Sequence, residues 1–157
     1  MDEDLKTYHP AKTGERGMKP ETFLPDDYRP AEDEPFMNDR QLEYFRRKLI
    51  VWKEDILKGS QETLADLANS SRNIPDVADR ASEETDRALE LRTRDRQRKL
   101  ISKIDAALRR IENGDFGYCD VTGERISLKR LDARPIATMT LQAQEAHERK
   151  ERVHRDD

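Results

Sequence analysis

The sequence predicts a mainly α protein: a long antiparallel coiled-coil hairpin standing on a small globular base, with a C-terminal helix. Three observations lead there. Apolar residues are only 34% of the 157 and charged residues are 41%, too few and too many for a large spherical core but suited to helices that bury one narrow stripe. Apolar residues recur at three- and four-residue spacings in two separate runs. Turn and stop signals stand between and after those runs.

Residues 1–37 hold Pro10, Pro20, Pro25, Pro30 and Pro35, with ten Asp/Glu against five Lys/Arg. They read as an acidic, proline-rich N-terminal arm, mostly non-helical without being wholly disordered. The coiled coil is expected over 38–113. Asn38 or Asp39 can cap its first helix. Leu42, Phe45, Leu49, Trp52 and Ile56 form a seam that Gly59 shifts to Ser60, Leu64 and Leu67. The second helix carries Leu100, Ile104, Ala107, Leu108 and Ile111, and Asn113 with Gly114 stops it. The turn falls in "NSSRNIPDVADRAS", which places the tip at 70–81. Helices of about 30 residues give a rod of roughly 45 Å. That shape suits probing a deep cavity in a larger partner better than enclosing a small substrate.

Residues 114–157 must supply the base. "FGYCDVTGERIS" looks like the first half of a metal knuckle, and the chain behind it reads as a loop and a helix starting near Pro135 or Thr140. The base is therefore expected to be zinc-ribbon-like, packed on Phe116, Tyr118, Ile126, Leu128, Leu131, Ile136, Met139 and Leu141. One cysteine excludes an internal disulfide. Cys119 reads foremost as a small buried residue without chemistry. A redox role would need a neighbouring charge that lowers its pKa, and Asp120 has the opposite sign.

Several function classes are disfavoured. No glycine-rich phosphate loop or Ser/His/Asp set points to an enzyme. A net charge of −4 and the absence of a groove-reading module argue against sequence-specific DNA binding. No stretch approaches the ~18 apolar residues of a membrane span, and a cytoplasmic protein is expected.

Five stretches carry a resemblance: "FRRKL...W" at 45–52, "PDVADRAS" at 75–82, "ELRTRDRQRKLISKID" at 90–105, "FGYC" at 116–119 and "RLDARP" at 130–135. In this order and spacing the chain resembles the DksA family of bacterial transcription factors that bind RNA polymerase. The resemblance implies a coiled coil inserted into the polymerase secondary channel, with its tip near the active centre. It also implies joint action with ppGpp, the alarmone of the stringent response. Two alternatives stay open: a coiled-coil adaptor, or a Gre-like secondary-channel factor without alarmone dependence.

The family's two Cys-x-x-Cys pairs fall here on Cys119, Thr122, Thr140 and Ala143. With one thiol among the four, structural zinc is expected to be improbable. His147 and His154 lie seven residues apart on one helix, too far to share an ion. Asp76, Asp79 and Ala81 match the family's tip motif, although both aspartates could simply cap the second helix. Arg92, Arg96, Lys99 and Lys103 share a helix face that can meet the polymerase, or can be only a solvated surface. Leu100, Lys103 and Arg134 match the family's alarmone site, while Gln144 stands where that site has a lysine. Arg134 is equally able to brace the "LDARP" turn.

Overall fold

The computed structural model describes residues 22–70 and 77–155. Four helices follow in order: α1 Asp39–Ser70, α2 Val77–Asn113, α3 Leu128–Ala133 and α4 Leu141–Arg155. α1 and α2 pack against each other as the rod, and their 32 and 37 residues correspond to about 48 and 55 Å. No regular strand forms among the described residues. The expected hairpin of the base is reduced to one antiparallel bridge between Tyr118 and Arg125.

Local chemistry sets both ends of the rod. Asn38 caps α1, its Oδ1 accepting from the Gln41 amide at 2.8 Å. α2 ends in a Schellman turn: the Gly114 amide donates to Ile111 O and the Asp115 amide to Arg110 O, with Gly114 at φ 81°. This is the stop that Asn113 and Gly114 announce.

The seam is apolar in one half only. Phe45, Leu49, Ile104, Ala107 and Ile111 are buried, with Leu42, Trp52, Ile56, Leu100 and Leu108 packed around them. Beyond Ile56 the expected continuation through Ser60 and Leu64 does not hold as an apolar stripe. The Ser60 hydroxyl instead bonds Gln97 across the rod at 2.8 Å, and Leu64 is 46% exposed. The reason lies on the opposite helix, where the residue that meets Ser60 is Gln97 and the half-buried positions before it, Glu83, Glu90 and Arg94, are charged. Leu67 lies outside the described side chains.

The base continues the proximal core. Phe116 packs on Phe45 with ring centroids 5.4 Å apart and the planes tilted by 46°, and Cys119, Ile126, Leu128, Leu131, Ala137 and Ala143 are buried with it. Leu141 differs from its expected place in the core: it is 55% exposed, because Thr140 caps α4 by accepting from the Ala143 amide and the helix turns Ala143 inward. α3, capped by Ser127, is an element the sequence reading did not contain.

Residues 22–38 are folded onto this base through turns at Tyr28, Glu34 and Asn38. Gln41, fully buried, holds the strap: its Oε1 accepts from the Met37 amide, and its Nε2 donates to Ala31 O and Glu34 Oε2. Tyr28 donates to Glu34 at 2.6 Å, and burial followed by that carboxylate pushes its pKa up to about 12. Phe36 meets Tyr118 edge-on at 5.4 Å. Met37, at φ 53°, lays its side chain where a Cβ on Gly117 would come within 3.0 Å of it. Gly117 has φ +91°, so close approach and backbone conformation both require glycine there.

Candidate functional site

The tip, the basic helix face and the base are placed very differently by the fold. Asp76 lies outside the described residues, as does the side chain of Asp79. Ala81 is exposed on α2, with its carbonyl accepting from Thr85. On the basic face, Arg92 and Arg96 are exposed, whereas Lys99 pairs with Asp95 at 2.9 Å and Arg94 beside them pairs with Glu90. The stripe of like charge is therefore partly neutralised within its own helix.

At the foot of the rod the fold brings distant residues together. Lys103 from α2, Arg134 after α3 and Gln144 from α4 line one hollow of about 280 Å³, with Arg110 and Arg130 beside them and Phe116 and Ala107 on its wall. Arg110 is committed to Asp120 at 2.9 Å and to Tyr118 O at 2.7 Å, and Arg130 donates through Nε to Met139 O. Neither the Lys103 ammonium nor the Arg134 guanidinium has an ion pair or hydrogen bond among the described residues, and both residues are exposed. Leu100 is not part of this hollow; it packs against the seam one turn away. The Gln144 amide already donates to Glu148 at 2.9 Å.

Arg134 braces the "LDARP" turn with its backbone, as the α3 C-cap bonded to Arg130 O, which leaves its guanidinium free. The turn's other anchor is Asp132, a residue the sequence reading passed over. Its carboxylate accepts from Tyr44 at 2.7 Å and from Lys48 at 2.6 Å, and Lys48 also reaches Asp132 O. Lys48 first, then Tyr44, holds the Asp132 carboxyl below its ordinary range. A partner more than 80 residues away in sequence leaves no local signal.

The knuckle gathers its four positions. Cys119 is 3% exposed, its amide bonds Glu124 O and its carbonyl receives the Gly123 amide. Burial pushes the thiol pKa up, but hydrogen bonds from the Thr122 hydroxyl and from the amides of Thr140, Thr122 and Val121 outweigh it and bring it down to about 7. Thr140 in turn caps Ala143. Asp120 does not control this thiol as its sequence position suggested, since Arg110 neutralises it. The expected result is a thiolate absorbance at 240 nm that titrates near pH 7 in the folded chain, and a midpoint moved upward by Thr122→Val. Because the folded pKa lies below the ordinary thiol value of 9, the stabilisation is complete above pH 9 and lost as pH falls through about 7. A midpoint unmoved by Thr122→Val would show that the hydroxyl bond does not hold the thiolate.

Comparison with known proteins covers the rod and the base. Residues 41–111 match the family described as DnaK suppressor protein DksA, N-terminal domain, and residues 114–149 match the prokaryotic dksA/traR C4-type zinc finger. The RNA polymerase-binding transcription factor DksA of Caulobacter vibrioides is 71% identical over 131 residues, covering 83% of this chain and 92% of that protein. The factor of the same name from Escherichia coli K12 is 41% identical over 114 residues, 73% of this chain and 76% of its own. Among solved structures, transcription factor DksA2 from Pseudomonas aeruginosa superposes with a TM-score of 0.69 at 37% identity, over 74% of this chain and 90% of that one.

The zinc-finger match corrects the expectation that structural zinc is improbable: residues 114–149 belong to a C4-type zinc-finger family. The expectation rested on counting thiols at four positions. The side chains at the four positions of this chain are one thiol, two hydroxyls and a methyl, which is not a four-cysteine cage. Among the described residues no group of three or more His, Cys, Asp or Glu comes together. The zinc assignment thus rests on the family match. With the rod and the base each matched in sequence and a relative 71% identical over most of its length, the chain belongs to the DksA family.

Proposed function

We propose that this chain is an RNA polymerase-binding transcription regulator that inserts its rod into the secondary channel and modulates initiation. The observation that carries the reading is the 71% identity, over nearly the whole of that protein, to a factor named for binding RNA polymerase. It is a regulator and not an enzyme, and it works in the cytoplasm, where the polymerase is. No described helix is long and apolar enough to cross a membrane.

In this reading residues 38–113 are the probe with its tip at 70–81, residues 114–157 are the base that stays outside the channel, and residues 1–37 are an arm whose described part, from residue 22, lies against that base. The apolar seam and the Phe45–Phe116 contact fix the foot of the rod against the base. At the tip, Asp76 and Asp79 act on the catalytic metal's surroundings, on basic side chains or on moving loops.

The hollow at the foot favours ppGpp as a joint effector, since Lys103 and Arg134, which have no ion pair or hydrogen bond among the described residues, line one space with Gln144. Each charge-assisted bond to phosphate contributes roughly 1.5–3 kcal/mol. Gln144 carries no charge and already serves Glu148, which weakens the site relative to one with lysine there. The test is a transcription assay on purified polymerase with ppGpp titrated. Arg134→Ala and Lys103→Ala raise the ppGpp midpoint by about tenfold each without changing alarmone-free activity, and Gln144→Lys lowers it. Midpoints unmoved by all three variants would leave a secondary-channel factor without alarmone dependence. Failure of the chain to co-purify with polymerase, or to be displaced by another secondary-channel factor, would return the reading to a coiled-coil adaptor.

A further inference from the structure

Arg134 is held firmly by its backbone and not at all by its side chain. Its amide donates to Arg130 O at 2.8 Å and its carbonyl accepts from the Ala137 amide at 3.0 Å. The buried Pro135 follows it and disfavours a helical backbone at the residue before it, so Arg134 is extended, with φ −141° and ψ 84°. Its guanidinium has no ion pair or hydrogen bond among the described residues. Whatever fixes the turn therefore fixes where this side chain enters the hollow it shares with Lys103.

The first helix of the rod takes hold of that turn just before Arg134. The Lys48 ammonium grips Asp132 twice, at 2.6 Å from the carboxylate and 2.6 Å from the backbone carbonyl. The Tyr44 hydroxyl donates to the same carboxylate oxygen at 2.7 Å. Lys48 and Tyr44 lie one helical turn apart on α1, which is why both can reach a single residue. Tyr44 is set in turn by edge-on rings, Tyr28 of the strap at 6.0 Å and Phe45 at 5.2 Å. Since α1 packs on α2, which carries Lys103, the clamp ties the turn bearing Arg134 to the rod bearing Lys103.

We propose that Asp132, gripped by Lys48 and Tyr44, is a positioning residue for the alarmone: it fixes the exit of α3 so that Arg134 and Lys103 meet the phosphates together. The proposal rests on the ppGpp reading above and adds what sets the geometry of that site. A backbone already fixed when the ligand arrives spares binding the cost of ordering it. Neither Lys48 nor Tyr44 lines the hollow, so both act through the turn and not on the ligand.

The test titrates ppGpp in a transcription assay with purified polymerase and the full chain. Lys48→Met keeps most of the side-chain stem and removes the ammonium; it is expected to raise the midpoint about three- to tenfold. Tyr44→Phe keeps both ring contacts, loses one hydrogen bond and raises the midpoint about twofold; it carries the test if Lys48→Met lowers the melting temperature below that of the assay. Lys48→Arg retains the midpoint, and affinity for polymerase without ppGpp stays within about twofold in all three. In a chain that carries Arg134→Ala, Lys48→Met adds no further increase, because the group it positions is gone. An equal increase with and without Arg134 would overturn the proposal and leave the clamp a support of the base in general. A midpoint unmoved by Lys48→Met and Tyr44→Phe, with Arg134→Ala still raising it, would overturn the positioning and leave the alarmone site standing. Midpoints unmoved by Arg134→Ala and Lys103→Ala as well would overturn the alarmone reading and the positioning with it.

Discussion

Phe45→Ala lowers the unfolding free energy by about 3–5 kcal/mol, the cost of deleting a fully buried aromatic ring. The ring is 0% exposed and stands where rod and base meet, 5.4 Å from Phe116 and 5.2 Å from Tyr44. Its loss opens a cavity walled by two helices and the knuckle, which cannot close without moving one of them. Against an ordinary stability of about 5–15 kcal/mol this is a large fraction of the whole. Urea unfolding followed by far-UV circular dichroism should show the midpoint reduced with the slope unchanged. Leu64→Ala is the control: the same seam in sequence, but 46% exposed, and expected to cost under about 1 kcal/mol. Similar losses for the two would show that the rod is packed evenly to its tip.

The largest functional effect is expected at that tip. Asp76→Asn with Asp79→Asn removes two charges at the start of α2, which begins at Val77. Asparagine caps a helix about as well as aspartate, so the double variant keeps capping and loses chiefly charge; the helix-dipole contribution forgone is about 0.3–1 kcal/mol. Polymerase affinity should stay within about twofold, a difference under 0.5 kcal/mol, while the effect on transcription disappears. If the variant still regulates a responsive promoter fully, the aspartates are caps and the tip's activity lies elsewhere. If affinity falls with activity, the tip is an anchor and not an effector.

The two halves of the rod illustrate what is local and what is not. Asn38, the three- and four-residue spacing from Leu42 to Ile56, and the Asn113–Gly114 stop determine helix ends and the buried face through interactions within a turn or two of chain. Such signals are readable one segment at a time. Whether a seam position is buried depends on its partner. Ser60 meets Gln97 only because the hairpin's register places them together, so the weak distal seam was not legible from α1 alone.

The sequence by itself thus determined the hairpin, its stops, the position of the knuckle and, through five motifs in fixed order, the DksA family. By resemblance it suggested Leu100, Lys103 and Arg134 as one site, of which Lys103 and Arg134 line a common hollow and Leu100 does not. The tertiary structure decided the rest. It folded residues 22–38 onto the base around Gln41, tied Asp132 to Lys48 across 84 residues, turned Leu141 outward, and lowered the Cys119 pKa with amides from Thr140 and Val121. The strap on Gln41, the Lys48–Asp132 tie and the Thr140 amide at Cys119 depend on groups distant in the chain meeting at hydrogen-bond distance, and side-chain pattern along one segment carries no record of which distant group arrives.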